Sequence, residues 1–159
     1  MSRAVLSVGS NLGDRLAYLQ SAVDALRPYL VSVSAVYETA AFGTEPQAPY
    51  LNAVLLVQAE VDDFFWLERA REIEAGAGRR RERRWAPRTL DVDVITVDAQ
   101  VSADPELTLP HPRAHERAFV LVPWLDVEPK AVLAEIAVAD LVSGLDVSGV
   151  RRRDDLVLR

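Results

Sequence analysis

The sequence contains no cysteine, only two histidines and a single lysine among its 159 residues. The lack of cysteine excludes disulfides and thiolate metal sites, and two histidines leave little room for a zinc site. No run of about 18 apolar residues is present, so we predict no transmembrane segment. The N-terminus becomes polar too early for a secretory signal peptide. These features fit a cytoplasmic protein.

Half of the residues are hydrophobic, which is enough for a proper core in a chain of this length. We find no internal repeat and no low-complexity linker, so we predict one domain over residues 1–159. The formal net charge of -6 argues against a general nucleic-acid binder.

Hydrophobic periodicity predicts a strand, helix, strand, strand, helix, strand order. The two helices follow Asp14 and Asp62, which are suitable N-caps. Residues 98–113 look like a loop, a further helix is predicted over 114–127, and the tail suggests a short helix near 138–145 and a last strand. The predicted strands cover residues 3–8, 31–38, 50–59 and 90–97. This order is typical of the α+β class: a ferredoxin-like βαββαβ sandwich, with a mostly antiparallel sheet and both helices on one face.

Two aspartates alternate with apolar residues in the last predicted strand. Side chains two apart on a strand share a face, so Asp91 and Asp93 point together while Leu90, Val92 and Val94 point into the core. Paired carboxylates suit Mg²⁺, which takes one or two of them together with phosphate oxygens and waters. The alternative is a strand with a solvated acidic face.

A cationic segment lies directly upstream of these aspartates. Residues 79–88 include six arginines, although the protein as a whole is acidic. Arginine forks match phosphate oxygens, and arginines beside metal-binding carboxylates supply the positioning and charge neutralisation that phosphoryl transfer needs. Gly76 and Gly78 would let this segment close over a site. A solvated charge run is the alternative.

Four further residues have both a functional and a structural interpretation. Asn52 offers a donor and an acceptor to a heterocycle edge, or a hydrogen bond to backbone at a strand end. Phe119 and Trp124 stack on a flat ligand or fill the core. His111 lies in a proline-rich loop, where a structural role is an alternative to a catalytic one.

As a set, these residues resemble the 6-hydroxymethyl-7,8-dihydropterin pyrophosphokinases, the family that precedes dihydropteroate synthase in folate synthesis. The family signature Arg-Trp-x-Pro-Arg-Thr-Leu-Asp-x-Asp stands complete from Arg84 to Asp93. The resemblance covers roughly residues 3–130. The other matching segments, in family order, are Gly9–Gly13, Tyr50–Ala53, Ile73–Glu74 with Gly78–Arg79, Pro110–His111 and Arg117–Phe119.

The resemblance implies that the enzyme transfers pyrophosphate from ATP to the hydroxymethyl group of the reduced pterin. The substrate hydroxyl would attack the β-phosphorus in line, and AMP would leave. Two Mg²⁺ ions would be held by Asp91 and Asp93. The implied partners are these small molecules, with no nucleic acid and no membrane, and the implied state is a monomer.

The resemblance also implies a role for each matching residue. The catalytic residues would be Arg79, Arg88, Asp91 and Asp93. The ATP-binding residues would be Glu74, Arg81, Arg84, Trp85, Arg88, His111 and Arg117, with Trp85 helping to close the lid. The pterin-binding residues would be Thr39, Phe42, Tyr50, Asn52, Asp91 and Phe119.

Two departures from the family pattern stand out. The segment Thr39–Gly43 lacks the proline of the common Thr-x-Pro-x-Gly pattern, which would loosen a wall of the pterin pocket. Pro112 follows His111 where an aromatic residue occurs in other members.

Three other functions remain alternatives from the sequence. A non-catalytic nucleotide-binding domain would keep the arginines but not need both aspartates. An RNA-binding module would use the arginines as its contact patch. A nucleotidyltransferase would release pyrophosphate instead of AMP.

Overall fold

The computed structural model describes residues 1–40, 47–78 and 89–159 of the chain. Its strands are β1 (Ser2–Ser10), β2 (Leu30–Val33), β3 (Tyr37–Thr39), β4 (Tyr50–Ala59), β5 (Asp91–Val97), β6 (Ser102–Asp104), β7 (Leu107–Leu109), β8 (Val132–Leu133), β9 (Ile136–Ala137) and β10 (Val150–Arg152). Its α-helices are α1 (Arg15–Leu26), α2 (Asp63–Gly76), α3 (Ala118–Val127) and α4 (Val138–Ser143), and short 3₁₀ turns cover Arg27–Tyr29 and Ala114–Glu116.

The main sheet has the strand order β10-β3-β4-β1-β5, and β2 also pairs with β4. Every pairing within it is antiparallel. The strand β1 lies in the interior of the sheet, because it pairs with β4 along one side and with the edge strand β5 along the other. The predicted antiparallel ferredoxin-like arrangement is therefore confirmed.

Helices cover both faces of the sheet. Helices α1 and α2 pack on one face, where Leu19, Leu26 and Trp66 are fully buried. Helices α3 and α4 pack on the other face through residues such as Leu121 and Val138. The two helices of the predicted core do share one face, and the C-terminal helices complete the second layer.

The N-caps that the sequence predicts are present. The Asp14 carboxylate accepts a hydrogen bond from the backbone N–H of Ala17 at 3.1 Å, and that of Asp62 accepts one from Phe65 at 2.9 Å. Each bond satisfies a donor in the first turn of its helix.

The single strand predicted over residues 31–38 is wrong, because it is divided into β2 and β3. Between these two strands, the Ser34 hydroxyl accepts a hydrogen bond from Val54 N at 2.8 Å, in place of a backbone carbonyl. The next amide, Ala35 N, donates to the carboxylate of Asp126 on α3 at 3.2 Å. These two bonds draw the backbone out of the ladder between the strands.

Two other boundaries differ from the prediction. The stretch predicted as loop over residues 98–113 contains the β6–β7 hairpin. The helix predicted from Ala114 begins as α3 at Ala118, after a 3₁₀ turn.

In the tail, the predicted short helix is α4, and the predicted last strand is β10, which pairs with β3. No helix within the described ranges is long and apolar enough to cross a membrane.

Candidate active site

The register of three strands brings predicted site residues together at one end of the sheet. Gly9 of β1 lies opposite Asn52 of β4 and opposite Asp91 of β5, and Ser7 lies opposite Asp93. Residues that are directly paired in antiparallel strands point to the same face. Asn52, Asp91 and Asp93 therefore lie on one face, the face on which α3 packs.

Gly9 lies directly beneath the side chain of Asn52. A Cβ atom added at Gly9 would lie 2.7 Å from Asn52 Nδ2 and 3.4 Å from Cδ1 of Tyr50. The first distance is shorter than any ordinary non-bonded contact of a carbon atom. The absence of a side chain at residue 9 is therefore what lets Asn52 occupy its position.

A hydrogen bond to Thr39 holds the Asn52 amide. The Thr39 hydroxyl donates to Asn52 Oδ1 at 2.7 Å, and both residues are buried. Because the hydroxyl donates to the amide oxygen, the bond fixes which end of the amide faces which neighbour. Tyr50 pairs with Thr39 across the strands, so Thr39, Tyr50 and Asn52 form one polar group.

The two aspartates line a cleft of about 560 Å³ along the outer edge of the sheet. Its walls come from α2, β5 and the β6–β7 hairpin, and they include Glu74, Asp91, Asp93, Thr108 and His111. Both aspartates are partly exposed. The described residues form no cluster of three or more His, Asp or Glu that could hold a metal. Among the described residues, Asp91 and Asp93 offer two carboxylates, a donor set that fits a Mg²⁺ completed by phosphate oxygens and waters.

Glu74 joins α2 to the strand that carries the aspartates. Its Oε2 accepts a hydrogen bond from the backbone N–H of Val92 at 2.8 Å, and the residue is only 6% exposed. Val92 lies between Asp91 and Asp93 in sequence, so this bond holds the backbone that carries both carboxylates. Glu74 also contributes to the wall of the cleft.

Arg117 and Phe119 come from the start of α3. Arg117 Nη1 lies 4.0 Å from Asp93 Oδ2, and its guanidinium lies 5.6 Å from the centre of the Phe119 ring. These contacts place a cation beside the second aspartate and a partly exposed ring next to that cation. Trp124, by contrast, is a core residue with 2% exposure, and its indole N–H donates to Glu128.

His111 is held rigidly at the wall of the cleft. Its backbone N–H donates to Ile95 O at 2.8 Å, and its Nδ1 accepts from the backbone N–H of Arg113 at 3.2 Å. Burial, together with the positive charges of Arg117 and Arg113, lowers its pKa to about 4, although Asp91 acts in the opposite direction. The ring is neutral at pH 7, and since Nδ1 accepts, the proton is on Nε2.

Part of the predicted site lies outside the described residues. Phe42 belongs to this part, and so does the arginine segment with Arg79, Arg81, Arg84, Trp85 and Arg88. Sequence reasoning also missed residues that the structure brings to the site. Thr108 is one of them. The alternation of Leu107, Thr108 and Leu109 after the turn at Pro105 was the sequence signal for the strand that carries it.

Paired carboxylates beside a cleft, with an arginine next to one of them, supply the metal-binding and charge-neutralising groups that a phosphotransferase needs. Comparison with known proteins identifies the family. The family model of 7,8-dihydro-6-hydroxymethylpterin-pyrophosphokinase (HPPK) matches residues 5–129. The chain therefore belongs to this family of enzymes, as the motif resemblance predicted.

Curated relatives agree with this assignment, and solved structures share the fold. A 2-amino-4-hydroxy-6-hydroxymethyldihydropteridine pyrophosphokinase of Mycobacterium leprae is 51% identical over 156 residues, covering 91% of this chain and 82% of the relative. The protein of the same name from Methylorubrum extorquens is 40% identical and covers 96% of this chain and 99% of the relative. The fold of Plasmodium falciparum HPPK-DHPS is similar, with a TM-score of 0.66 at 13% identity, over 90% of this chain and 43% of that longer one.

The close contact at Gly9 leads to a prediction about stability. We expect Gly9→Ala to lower the free energy of unfolding by about 1–3 kcal/mol, because the added methyl displaces the Asn52 amide. Gly76→Ala is the matched control: its Cβ would meet no atom within 4 Å, so that variant should be unchanged or up to about 1 kcal/mol more stable. Urea unfolding followed by circular dichroism measures both. Equal stabilities for the two variants would contradict the proposed packing of Asn52.

The pKa of His111 leads to a prediction about pH. An unfolded histidine has a pKa near 6.5, whereas His111 in the folded protein has a pKa of about 4. Between these values the unfolded state binds more protons, so the free energy of unfolding should fall as the pH is lowered from about 6.5 towards 4.

The variant His111→Gln isolates this effect from the carboxylates. Urea unfolding between pH 7 and pH 5 should show a steeper loss of stability in the unmodified protein than in the variant. A nuclear magnetic resonance titration should show the His111 ring protonating well below pH 6. A ring that titrates near pH 6.5 would contradict the prediction that burial and the nearby arginines lower the pKa of His111.

Proposed function

We propose that this chain transfers pyrophosphate from ATP to the hydroxymethyl group of 6-hydroxymethyl-7,8-dihydropterin and releases AMP, a step of folate biosynthesis. The observation that carries the proposal is the alignment of Asn52, Gly9 and Asp91 across three adjacent strands in a member of this family. That alignment puts a heterocycle-binding amide and paired carboxylates on one face. Their Cα atoms are two strand spacings apart, about 10 Å.

The pterin end of the site is formed by the Thr39, Tyr50 and Asn52 group. An amide side chain has both a donor and an acceptor, which matches the amide-like edge of a pterin. The bond from Thr39 holds this amide in one orientation before the substrate arrives. Phe119 supplies a ring for stacking on the flat substrate, and Phe42 is proposed to line the same pocket.

The nucleotide end is the cleft along β5. Arg117, which lies beside Asp93, and the Nε2 proton of His111 are donors for phosphate oxygens, and Glu74 is an acceptor near the nucleotide. We propose that Arg79, Arg81, Arg84 and Arg88 contact the phosphates and that Trp85 helps to cover them. Arginine is well suited to this role because its charge persists at every working pH.

Asp91 and Asp93 line this cleft and share a sheet face with Asn52, and they are proposed to hold two Mg²⁺ ions. The ions would neutralise charge on the phosphate groups during transfer. The chain's own contribution is to hold both carboxylates on one strand face, through the Glu74 bond to Val92, and to place Arg117 beside Asp93. We also propose that the chain acts as one domain and as a monomer, and in the cytoplasm, where ATP is available.

Formation of AMP tests the proposed reaction. Incubation with ATP, Mg²⁺ and the dihydropterin should release AMP, and leaving out either the pterin or Mg²⁺ should abolish it. Chromatography of the nucleotides separates the outcomes. Release of inorganic pyrophosphate would indicate a nucleotidyltransferase, and a folded protein that binds ATP without forming AMP would contradict the proposed activity.

Replacement of a carboxylate tests the proposed metal site. We expect Asp93→Asn to lower turnover by at least about 100-fold, because the neutral amide is a poor ligand for Mg²⁺ while it keeps the shape of the side chain. Asp140→Asn, an exposed change on α4, is the matched control and should keep normal turnover. Normal turnover of Asp93→Asn with unchanged dependence on Mg²⁺ would contradict the assignment.

A further inference from the structure

Glu38, on the strand β3, is the centre of a cluster of three arginines. Its Oε1 accepts a hydrogen bond from Arg151 at 2.6 Å, and its Oε2 accepts from Arg153 at 2.8 Å and from Arg15 at 3.4 Å. Two of these arginines belong to the C-terminal segment 150–159, and Arg15 begins α1. One carboxylate thus joins three parts of the chain that are distant in sequence.

The cluster is more than a surface ion pair. The side chain of Glu38 is only 17% exposed, and those of Arg15 and Arg153 are 27% and 24% exposed. Burial raises the pKa of Glu38, but the hydrogen bond from Arg151 and the charges of all three arginines outweigh burial, so its pKa lies below the ordinary value. Pairs in such a shielded position are less weakened by solvent and salt than exposed ones.

Glu38 is adjacent in sequence to Thr39, which holds the Asn52 amide. The strand β3 lies between β4 on one side and β10 on the other, and Val150 of β10 pairs with Thr39. The position of the Thr39 hydroxyl therefore depends on the C-terminal strand as well as on β4. A strand of three residues has few ladder bonds of its own to hold it.

The C-terminal segment is anchored well enough to act as such a support. Arg153 donates its backbone N–H to Val36 O at 2.8 Å, and its guanidinium makes two further hydrogen bonds to Asp155. Leu156 and Leu158 pack against the core cluster that α1 and α2 share. At the end of the chain, Arg159 and Gln20 exchange two hydrogen bonds.

Arg15 extends the cluster to the start of β4. The Nη1 atom that approaches Glu38 also donates to Pro49 O at 2.9 Å. Pro49 is the residue before Tyr50 and lies three residues before Asn52. The cluster therefore contacts the backbone next to Thr39 and the backbone leading to Asn52, the two partners of the amide bond.

We propose that Glu38 and the C-terminal arginines, above all Arg153, are positioning residues that set the Thr39–Asn52 pair for recognition of the pterin. The proposal rests on the function proposed above, in which Asn52 binds that substrate. The proposal predicts different effects on the KM for the dihydropterin and on the Kd of ATP. Loosening the cluster should weaken pterin binding, while the ATP cleft lies on the far side of β1, at β5, and should be unaffected.

Steady-state kinetics and ATP binding test this separation. We expect Arg153→Gln to raise KM for the dihydropterin by about 10-fold, with the Kd of ATP, measured without pterin, unchanged within about twofold. The KM of Arg153→Lys for the dihydropterin should lie between those of the unmodified protein and Arg153→Gln. Lysine keeps the charge but lacks the guanidinium fork that spans Glu38 and Asp155. Arg151→Gln should have a smaller effect, since its side chain is 69% exposed.

Matched controls distinguish positioning from general damage. Arg3→Gln removes an arginine from the opposite end of the sheet, where it makes a 3.9 Å contact with Glu128, and it should leave both constants unchanged. All variants are assayed well below their unfolding temperatures. A variant that loses thermal stability but keeps the KM for pterin would show that the cluster is only structural and would overturn the proposal.

Two other outcomes have distinct meanings. Equal losses of pterin and ATP binding in Arg153→Gln would also contradict positioning of the pterin pair. If the unmodified protein forms no AMP, the proposed function itself fails, which is a different result from an active enzyme whose kinetics ignore Arg153.

Discussion

The register of β1 between β4 and β5 is the constraint on which the site depends. It brings Gly9 opposite both Asn52 and Asp91, and a slip by one residue would turn the polar side chains of one neighbouring strand to the opposite face. The core prevents such a slip. Leu6 and Val8 pack beneath α1 and α2, while Val5 packs on the α3 side, so each register error would expose apolar residues. The packing of the sheet therefore determines which residues meet at its end.

Electrostatic arrangement then divides that end of the sheet into parts with different chemistry. Asp91 and Asp93 are held at the cleft with Arg117 beside them, whereas His111 is kept neutral by burial and by nearby arginines. A neutral ring that carries its proton on Nε2 can donate to a phosphate oxygen without repelling a metal ion. Asn52, two strands away, lies beside the neutral side chains of Thr39 and Tyr50. This separation suits a reaction that joins a highly charged substrate to an uncharged heterocycle.

Features set by neighbouring residues could be predicted from the sequence. The helix caps at Asp14 and Asp62 depend on bonds over three residues, and the strand Tyr50–Ala59 has an apolar run from residue 53 to residue 57, so all three were predicted correctly. The break between β2 and β3 could not be predicted, because it results from bonds between Ser34 and Val54 and between Ala35 and Asp126. The same holds for the site: the pair of aspartates has a local signal, but the need for glycine at residue 9 appears only when Asn52 lies above it.

The tail shows the same limit most clearly. Its three arginines, Arg151, Arg152 and Arg153, look alike in the sequence, yet in the structure Arg151 and Arg153 share Glu38 while Arg152 has a different partner. Arg152 pairs with Asp154 nearby, whereas Arg153 reaches Glu38 from 115 residues away. The family match ends at residue 129, before β10 begins. Motifs alone would therefore place the whole pterin site within the matched range. The hydrogen bonds from Arg151 and Arg153 to Glu38 show that the strand β3, which carries Thr39, is also held by the C-terminal segment outside the matched range. The contribution of that segment depends on its pairing with β3 across the sheet.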